Sequence, residues 1–288
     1  MSSNCIRCSA MRLRDSEIDF TKPQVMAIVN ITDDSFYSAS RTIDGDSVAL
    51  RVRDAIEQGA SIIDVGGYSS RPGAKEISLE QEWQRVRLGV AAVRSESMAI
   101  PISIDTFRSE IARRVIEEFG EVIINDITAG EADKDMVDVV ARYDVPYVAM
   151  HMRGTPQTMQ LLTEYERGVV AEVYHYFEQR IKYLRERGVE KIILDPGFGF
   201  AKSVEQNYEL LGGLSRLSAL GYPVLVGVSR KSMIYKPLEI TPEQALSATT
   251  ALHWEALRQG ATILRVHDVE QAKEVIRLYD IYRAATKK

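Results

Sequence analysis

QGASII, residues 58–63, ends a run with helical spacing, turns on a glycine and enters a β-branched stretch. A glycine just past a helix takes the left-handed conformation that ends it. The apolar run that follows lacks polar alternation, as in a strand covered on both faces. The same order returns in RGVEKIIL at 187–194, LGYPVLV at 220–226 and QGATILR at 259–265. Gly59, Gly188, Gly221 and Gly260 thus mark four helix-to-strand junctions. Working outward, eight apolar runs are expected as strands: 25–32, 61–66, 101–106, 122–127, 147–152, 192–196, 223–228 and 262–267. Helical spacing falls at 46–58, 78–94, 109–119, 134–143, 165–187, 204–220, 242–259 and 269–285. Ser78-Leu-Glu-Gln81 has the form of a capping box, and Thr241-Pro242 offers a cap followed by proline at the first helical position. Eight strand–helix units predict an α/β chain folded as a (β/α)8 TIM barrel, one domain over residues 23–288. Residues 1–22, which show no clear period, are expected as an N-terminal extension. A doubly wound open sheet competes, but the chain has no Gly-x-Gly-x-x-Gly turn.

Composition narrows the partners. The chain has 288 residues, 36 basic and 41 acidic, for a net charge of −5. Mild acidity argues against a dedicated nucleic-acid binder. Apolar residues at 45 % and charged residues at 27 % describe a globular chain with a large core. No apolar run is long enough for a membrane span, and no secretory signal core is visible. Two cysteines cannot build a disulfide framework. The expectation is a soluble, cytoplasmic chain with small-molecule substrates and no nucleic-acid or membrane partner.

A barrel of this kind keeps its active site at the C-terminal ends of its strands. Those ends carry Asn30, then Tyr68-Ser-Ser-Arg-Pro72, Asp105, Asn125, Met150, Asp195 with Phe200 and Lys202, Gly227 with Lys231 and Ser232, and Arg265 with His267. Each has a bland alternative. Asp105 and Asp195 can cap the next helix, Asn125 can make an Asx turn, and Arg265 can pair with Asp268 or a surface acid. Their convergence on one mouth argues for a ligand, because buried polar groups need partners. Asp105, Asn125 and Asp195 suit a flat heterocycle with several N–H donors, and Lys231 suits its carbonyl or ring nitrogen. Met150 and Phe200 can supply polarizable or aromatic walls. Arg265, His267, Ser69, Ser70 and Arg71 suit phosphate oxygens. Asn30 offers an amide oxygen to Mg²⁺ bridging a diphosphate. A heterocycle end and a diphosphate end suggest transfer of a heteroaryl-methyl group with loss of pyrophosphate.

The motifs NITDDSF, IIDVGGYSSRPGA, SIDT, IINDI, MHMRGTPQTMQ, ILDPGFGFAKS, VGVSRKS and RVHDV, over residues 25–270, resemble the dihydropteroate synthase family in sequence and order. The combination of DPGFGFAK, SRKS and RVHD is the specific part. The resemblance implies an alkyl/aryl transferase of folate biosynthesis. It would join 6-hydroxymethyl-7,8-dihydropterin diphosphate to p-aminobenzoate, releasing pyrophosphate. It implies Asp105, Asn125, Asp195 and Lys231 as pterin holders, with Met150 and Gly227 lining the pocket. Arg265 and His267 would take the diphosphate, with Asn30 as Mg²⁺ ligand. Ser69, Ser70, Arg71, Pro72, Phe200, Lys202 and Ser232 would surround p-aminobenzoate and the loops, where sulfonamides compete in this family. Asp105, Lys231, Arg265 and His267 are the expected catalytic set, and a homodimer is implied.

The chain departs from the family pattern in two loops. Asp33 stands where proline is usual, Tyr37-Ser-Ala-Ser40 replaces a Ser-Asp-Gly-Gly stretch, Tyr68 stands where glutamate is common, and Ser70 where threonine is. Altered loop closure and sulfonamide affinity are the expectation. Cys5-x-x-Cys8 lacks partner ligands for a zinc site and reads as a tail. His151 reads as a core histidine rather than a catalytic one, and His175 and His253 as helix-face residues. The aromatic stripe from Tyr165 to Tyr183 reads as packing or a subunit contact. Two other functions stay open: a pterin-binding methyltransferase domain serving a corrinoid, and a pterin-binding paralogue without turnover.

Overall fold

The computed structural model describes residues 9–13, 16–32, 45–70 and 73–286. Readings that fall on Cys5, Cys8, Asp33, Tyr37 to Ser40, Arg71 and Pro72 lie outside the described residues. Eight parallel strands form the barrel: β3 (Gln24–Asn30), β4 (Ile62–Gly66), β5 (Ile102–Asp105), β6 (Ile123–Asp126), β7 (Tyr147–Met150), β8 (Ile192–Asp195), β9 (Leu225–Val226) and β10 (Ile263–Val266). Each pairs with its neighbours in sequence, and β10 returns to β3. A bridge between Leu194 and Val224 joins the two remaining edges. Closure leaves no edge strand exposed. The (β/α)8 expectation is borne out; an open sheet would have left those edges apart.

The helices are α1 (Gly45–Glu57), α2 (Leu79–Glu96), α3 (Ser109–Phe119), α4 (Met136–Tyr143), α5 (Val169–Glu186), α6 (Val204–Gly212), α7 (Leu214–Ser218), α8 (Ser232–Tyr235), α9 (Leu246–Arg258) and α10 (Val269–Thr286). Local chemistry sets several of their ends. The capping box at the start of α2 forms, with Ser78 Oγ accepting from the Gln81 N–H at 3.2 Å and Gln81 Oε1 accepting from the Ser78 N–H at 2.9 Å. Gly59, Gly188, Gly221 and Gly260 all take φ between 80° and 97°, the left-handed stop their positions demand. Two helix readings are corrected. The segment 204–220 is two helices that part at Gly213, where an added Cβ would stand 2.7 Å from the Cγ atoms of Val170. Proline 242 caps a short 3₁₀ turn, Glu243–Ala245, before α9, and the Thr241 N–H donates to Gln244 Oε1 at 3.0 Å.

Residues 9–22 hold a hairpin that the sequence reading did not anticipate. β1 (Ala10–Leu13) and β2 (Ser16–Asp19) pair antiparallel, with Met11 opposite Ile18. Met11, Leu13, Ile18 and Phe20 are buried against Met26, Ile62, Ile123, Val148, Ile193, Leu225 and Ile263, the inward residues low in the barrel. The hairpin closes the end opposite the expected active site. Its strands are four residues long, too short for two-residue periodicity to stand out.

Candidate functional site

Strand side chains alternate between faces, so inward positions recur every second residue. Following that period upward from the apolar plug leads from Met26 to Ile28 and Asn30, from Ile62 to Asp64 and Gly66, and from Ile263 to Arg265 and His267. On β5, β6 and β8 the next inward steps are Asp105, Asn125 and Asp195. The barrel interior therefore changes from apolar to charged within one layer. Above that layer opens a cavity of about 680 Å³.

The floor is built around one guanidinium. Arg265 Nε donates to Asp64 Oδ2 at 2.7 Å and Nη2 to Asp105 Oδ2 at 2.6 Å. Asn125 Nδ2 donates to both Asp64 oxygens at 3.3 and 3.4 Å. Burial opposes the charge on Arg265, but Asp64 and Asp105 more than restore it, and its pKa is raised. Burial pushes Asp105 up to about 7, against the pull of Arg265 and with the repulsion of Asp64. Asp195 is also raised by burial, opposed by Lys231 and by the Gly197 N–H, which Asp195 Oδ1 accepts at 2.8 Å. Lys231 is lowered to about 8 by burial, with Asp195 acting the other way. Titratable groups forced so far from their ordinary range by burial and specific partners mark a functional centre.

The walls come from the loops above. Phe198, Gly199 and Phe200, after β8, form one side, and Lys231 Nζ lies 4.9 Å from the Phe200 ring centre while donating to the Phe198 carbonyl. The loops after β9 and β10 are cross-linked. Ser229 Oγ lies 3.1 Å from His267 Nδ1 and accepts from the His267 N–H at 3.2 Å. Arg230 pairs with Asp268 through two hydrogen bonds of 2.9 and 2.6 Å. Asp268 is thus taken by Arg230, which removes the open possibility that it pairs with Arg265. Asn30 lies across the backbone of Gly66, where an added Cβ would stand 2.9 Å from its Oδ1. Tyr68 reaches the cavity with its ring edge-on to Phe107, centroids 5.1 Å apart, and Arg108 5.4 Å away.

A family model described as pterin binding enzyme matches residues 26–267. The chain belongs to the pterin binding enzyme family. It is 41 % identical over 259 residues to the dihydropteroate synthase of Synechocystis, covering 89 % of each chain, and 40 % identical over 267 residues to that of Escherichia coli, covering 92 % of this chain and 93 % of the relative. Among solved structures it is similar to the dihydropteroate synthase of Yersinia pestis in complex with a sulfonamide drug. That match has a TM-score of 0.89 and 33 % identity, and covers 96 % of this chain and 99 % of the other. It is also similar to the Xanthomonas albilineans enzyme with 4-aminobenzoic acid, at TM-score 0.88 and 34 % identity, covering 96 % and 98 %.

In this member of the pterin binding enzymes, Asn30, Ser69, Ser70, Asp105 and Phe200 line the cavity, as do Gly227, Lys231, Ser232, Arg265 and His267. Asn125 and Asp195 lie in the buried floor beneath it, and Met150 stands further back in an apolar cluster with Ile127, Met152 and Met159. Lys202 is turned into the protein, onto His151 and two backbone carbonyls. Asp105 and Asp195 do not cap the following helices; Arg108 and Ser203 occupy those positions. His151 is buried, as a core histidine should be. Asp64 is the residue sequence reasoning missed. Its signal was present: an acid at an inward position of an otherwise apolar strand, IIDVG.

Proposed function

We propose that this cavity joins a 7,8-dihydropterin bearing a 6-hydroxymethyl diphosphate to p-aminobenzoate, giving 7,8-dihydropteroate and pyrophosphate. The observation that carries the reading is the gathering of Asp105, Asp195, Lys231 and Arg265, from four different strands and loops, beneath one open cavity. Family membership and the named synthases support it.

The floor suits the pterin. Asp195, Asn125 and Asp64 present carboxylate and amide edges to ring N–H groups, and Lys231 presents a cation to the ring carbonyl. Arg265 and His267 face the diphosphate. Arginine meets phosphate bidentately, so a bound diphosphate draws the Arg265 guanidinium from its carboxylates as the ring N–H groups take over those acids. Loss of pyrophosphate leaves a cation delocalised over the reduced pterin. Ionised Asp105 supports that cation electrostatically, and Arg265 and His267 hold the leaving anion. Closure over the mouth excludes water until the arylamine attacks. The amine is nucleophilic without a strong base, and the proton it sheds after attack passes to the released pyrophosphate or to water, so His267 serves to hold the diphosphate, not to abstract a proton. Ser69, Ser70, Phe200 and Ser232 surround the amine, with Arg71 and Pro72 beside them in sequence. Sulfonamides occupy the same place.

Mg²⁺ suits the donor set. Asn30 Oδ1 is a hard neutral oxygen at the wall, and among the described residues no group of three or more acids, histidines or cysteines forms a protein-only cage. Mg²⁺ commonly takes one or two protein oxygens and completes its shell with substrate phosphate and water. When bound, it neutralises the diphosphate as leaving group. A cytoplasmic setting accords with a structure in which no described helix is long and apolar enough to cross a membrane. A homodimer through the late helices is supported by Leu278, Ile281 and Tyr282, apolar residues left exposed on α10.

The test is pyrophosphate release with both substrates present. Release that depends on both, and on Lys231 and Arg265, is the expected result; pterin diphosphate binding without release overturns the reading.

A further inference from the structure

The loop after β8 has three residues in the left-handed region within five positions: Gly197 at φ 70°, Gly199 at 81° and Ala201 at 51°. The two glycines take this conformation freely, but at Ala201 it persists only where the surroundings over-determine it. On its inner side the loop serves the cavity. Gly197 holds Asp195, the Phe198 carbonyl holds Lys231, and Phe198 to Phe200 form a wall. On its other side sits one ammonium group. Lys202 Nζ donates to the Gly197 carbonyl at 3.0 Å, the Phe200 carbonyl at 2.9 Å and, at 3.1 Å, His151 Nδ1. An ammonium has three donors. While the group is charged all three are spent on protein, and none remains for a substrate; burial lowers its pKa to about 7, with Asp195 acting the other way, so the fastening is complete below that pH.

His151 belongs to the same fastening. Its backbone N–H donates to the Asp195 carbonyl at 2.9 Å, and its own carbonyl would be 2.0 Å from any Cβ at position 197, so β7 and the loop meet backbone to backbone. The ring stands edge-on to Tyr176, centroids 4.9 Å apart. Burial, with Lys202 and Arg153 nearby, holds its pKa well below the ordinary histidine value. A neutral ring that accepts at Nδ1 carries its proton on Nε2.

We propose that Lys202 and His151 are a positioning pair: a buried ammonium seated on a neutral imidazole fastens the 196–201 loop and so sets Asp195, Lys231 and the phenylalanine wall for the condensation. The inference rests on the proposed reading of the site. Neither residue lines the cavity. Without the ammonium, the Phe200 carbonyl loses its donor, the Gly197 carbonyl keeps only the Phe200 N–H at 3.1 Å, and the loop relaxes; a shift of about 1 Å in positioned groups costs on the order of 100-fold in rate.

Two measurements test the pair. The first is made on the wild-type protein and needs no turnover, so its result is separate from the fate of the functional reading. Nitrogen-15 NMR of the four histidines, with His151→Asn to identify the signal, is expected to show His151 neutral and protonated on Nε2 at about pH 6, where Lys202 is charged. A proton on Nδ1 overturns the proposal. The second is kinetic. Lys202→Met is expected to lower kcat/KM for p-aminobenzoate about 10- to 100-fold, mostly through KM, with native circular dichroism. His151→Asn, which keeps an acceptor near Nδ1, is expected within about threefold of wild type, while His151→Leu falls like Lys202→Met. Lys202→Met combined with His151→Leu should be no worse than either alone. Unchanged kinetics in folded Lys202→Met, or equal losses in His151→Asn and His151→Leu, overturn the proposal. The histidine pair decides if Lys202→Met does not fold.

Discussion

The two ends of the barrel are built from the same strands and do opposite things. At the lower end the inward residues are Met26, Ile62, Ile123, Val148 and their neighbours, closed by Met11, Leu13, Ile18 and Phe20 of the hairpin. Two residues further along the same strands stand Asp64, Asn125, Arg265 and Asp195. The lower end removes apolar surface from water and leaves nothing to pair. The upper end buries charges that are compensated in part by one another, and that imperfect compensation leaves them able to exchange partners for a ligand. Stability and function are thus separated by about one strand repeat along the barrel axis, and substitutions at the two ends should fail differently.

The largest expected effect is at the upper end. Under the proposed reading, Arg265→Ala and Lys231→Ala should each lower pyrophosphate release about 10²- to 10³-fold, the first by removing charge from the leaving anion and the second from the pterin carbonyl. Arg265→Ala should also lower the unfolding free energy, because it leaves Asp64 and Asp105 facing each other without their shared cation, Asp64 keeping only the Asn125 amide. At the lower end Phe20→Ala should cost about 3–5 kcal/mol in denaturant unfolding, the loss for truncating a buried phenylalanine. Its kcat/KM at low temperature should match wild type; a matching loss of activity would erase the division between the two ends.

Asp105 sharpens the comparison through pH. Its ordinary value is 3.8, and burial in the folded chain raises it to about 7 against the pull of Arg265. Between those values the folded protein holds a proton that the unfolded chain releases. This group therefore favours the fold fully below about pH 4, and that contribution is lost as pH rises through about 7. Under the proposed reading activity should run the other way, since it gives the ionised carboxylate the task of supporting the pterin cation. In the ligand-free protein the thermal midpoint should fall with rising pH across that window while kcat/KM for the pterin diphosphate rises, and Asp105→Asn should flatten both. A stability profile that climbs through pH 7 and is unaffected by Asp105→Asn would contradict the assignment. The smallest effect is expected from Gly66→Ala. The added methyl meets Asn30 Oδ1 at 2.9 Å, so the amide must move. A severalfold higher Mg²⁺ requirement, with little change in unfolding, is expected from titrating the metal against pyrophosphate release.

The eight barrel strands, most of the helical segments and about half of the cavity-lining residues follow from the chain read alone. Glycine stops, the capping box at Ser78 and the unbroken apolar runs are local signals, and each needs only a few neighbouring residues to act. The strand-end positions of Asp105, Asp195, Lys231 and Arg265 follow from the same local periods once the barrel is granted. Tertiary structure decided which partner each charge takes. Arg265 meets Asp105 and Asp64 across 160 and 201 positions of chain, rather than Asp268 three residues away. Lys202, two residues from the phenylalanine wall, turns inward because three acceptors from different parts of the backbone and β7 converge there. The hairpin at the lower end acquires its meaning only when the barrel offers it an apolar floor. Helix ends and strand faces are governed by spacing along the chain. The pairing of a buried charge is governed by which groups share its dry neighbourhood, and that neighbourhood exists only after the chain has folded.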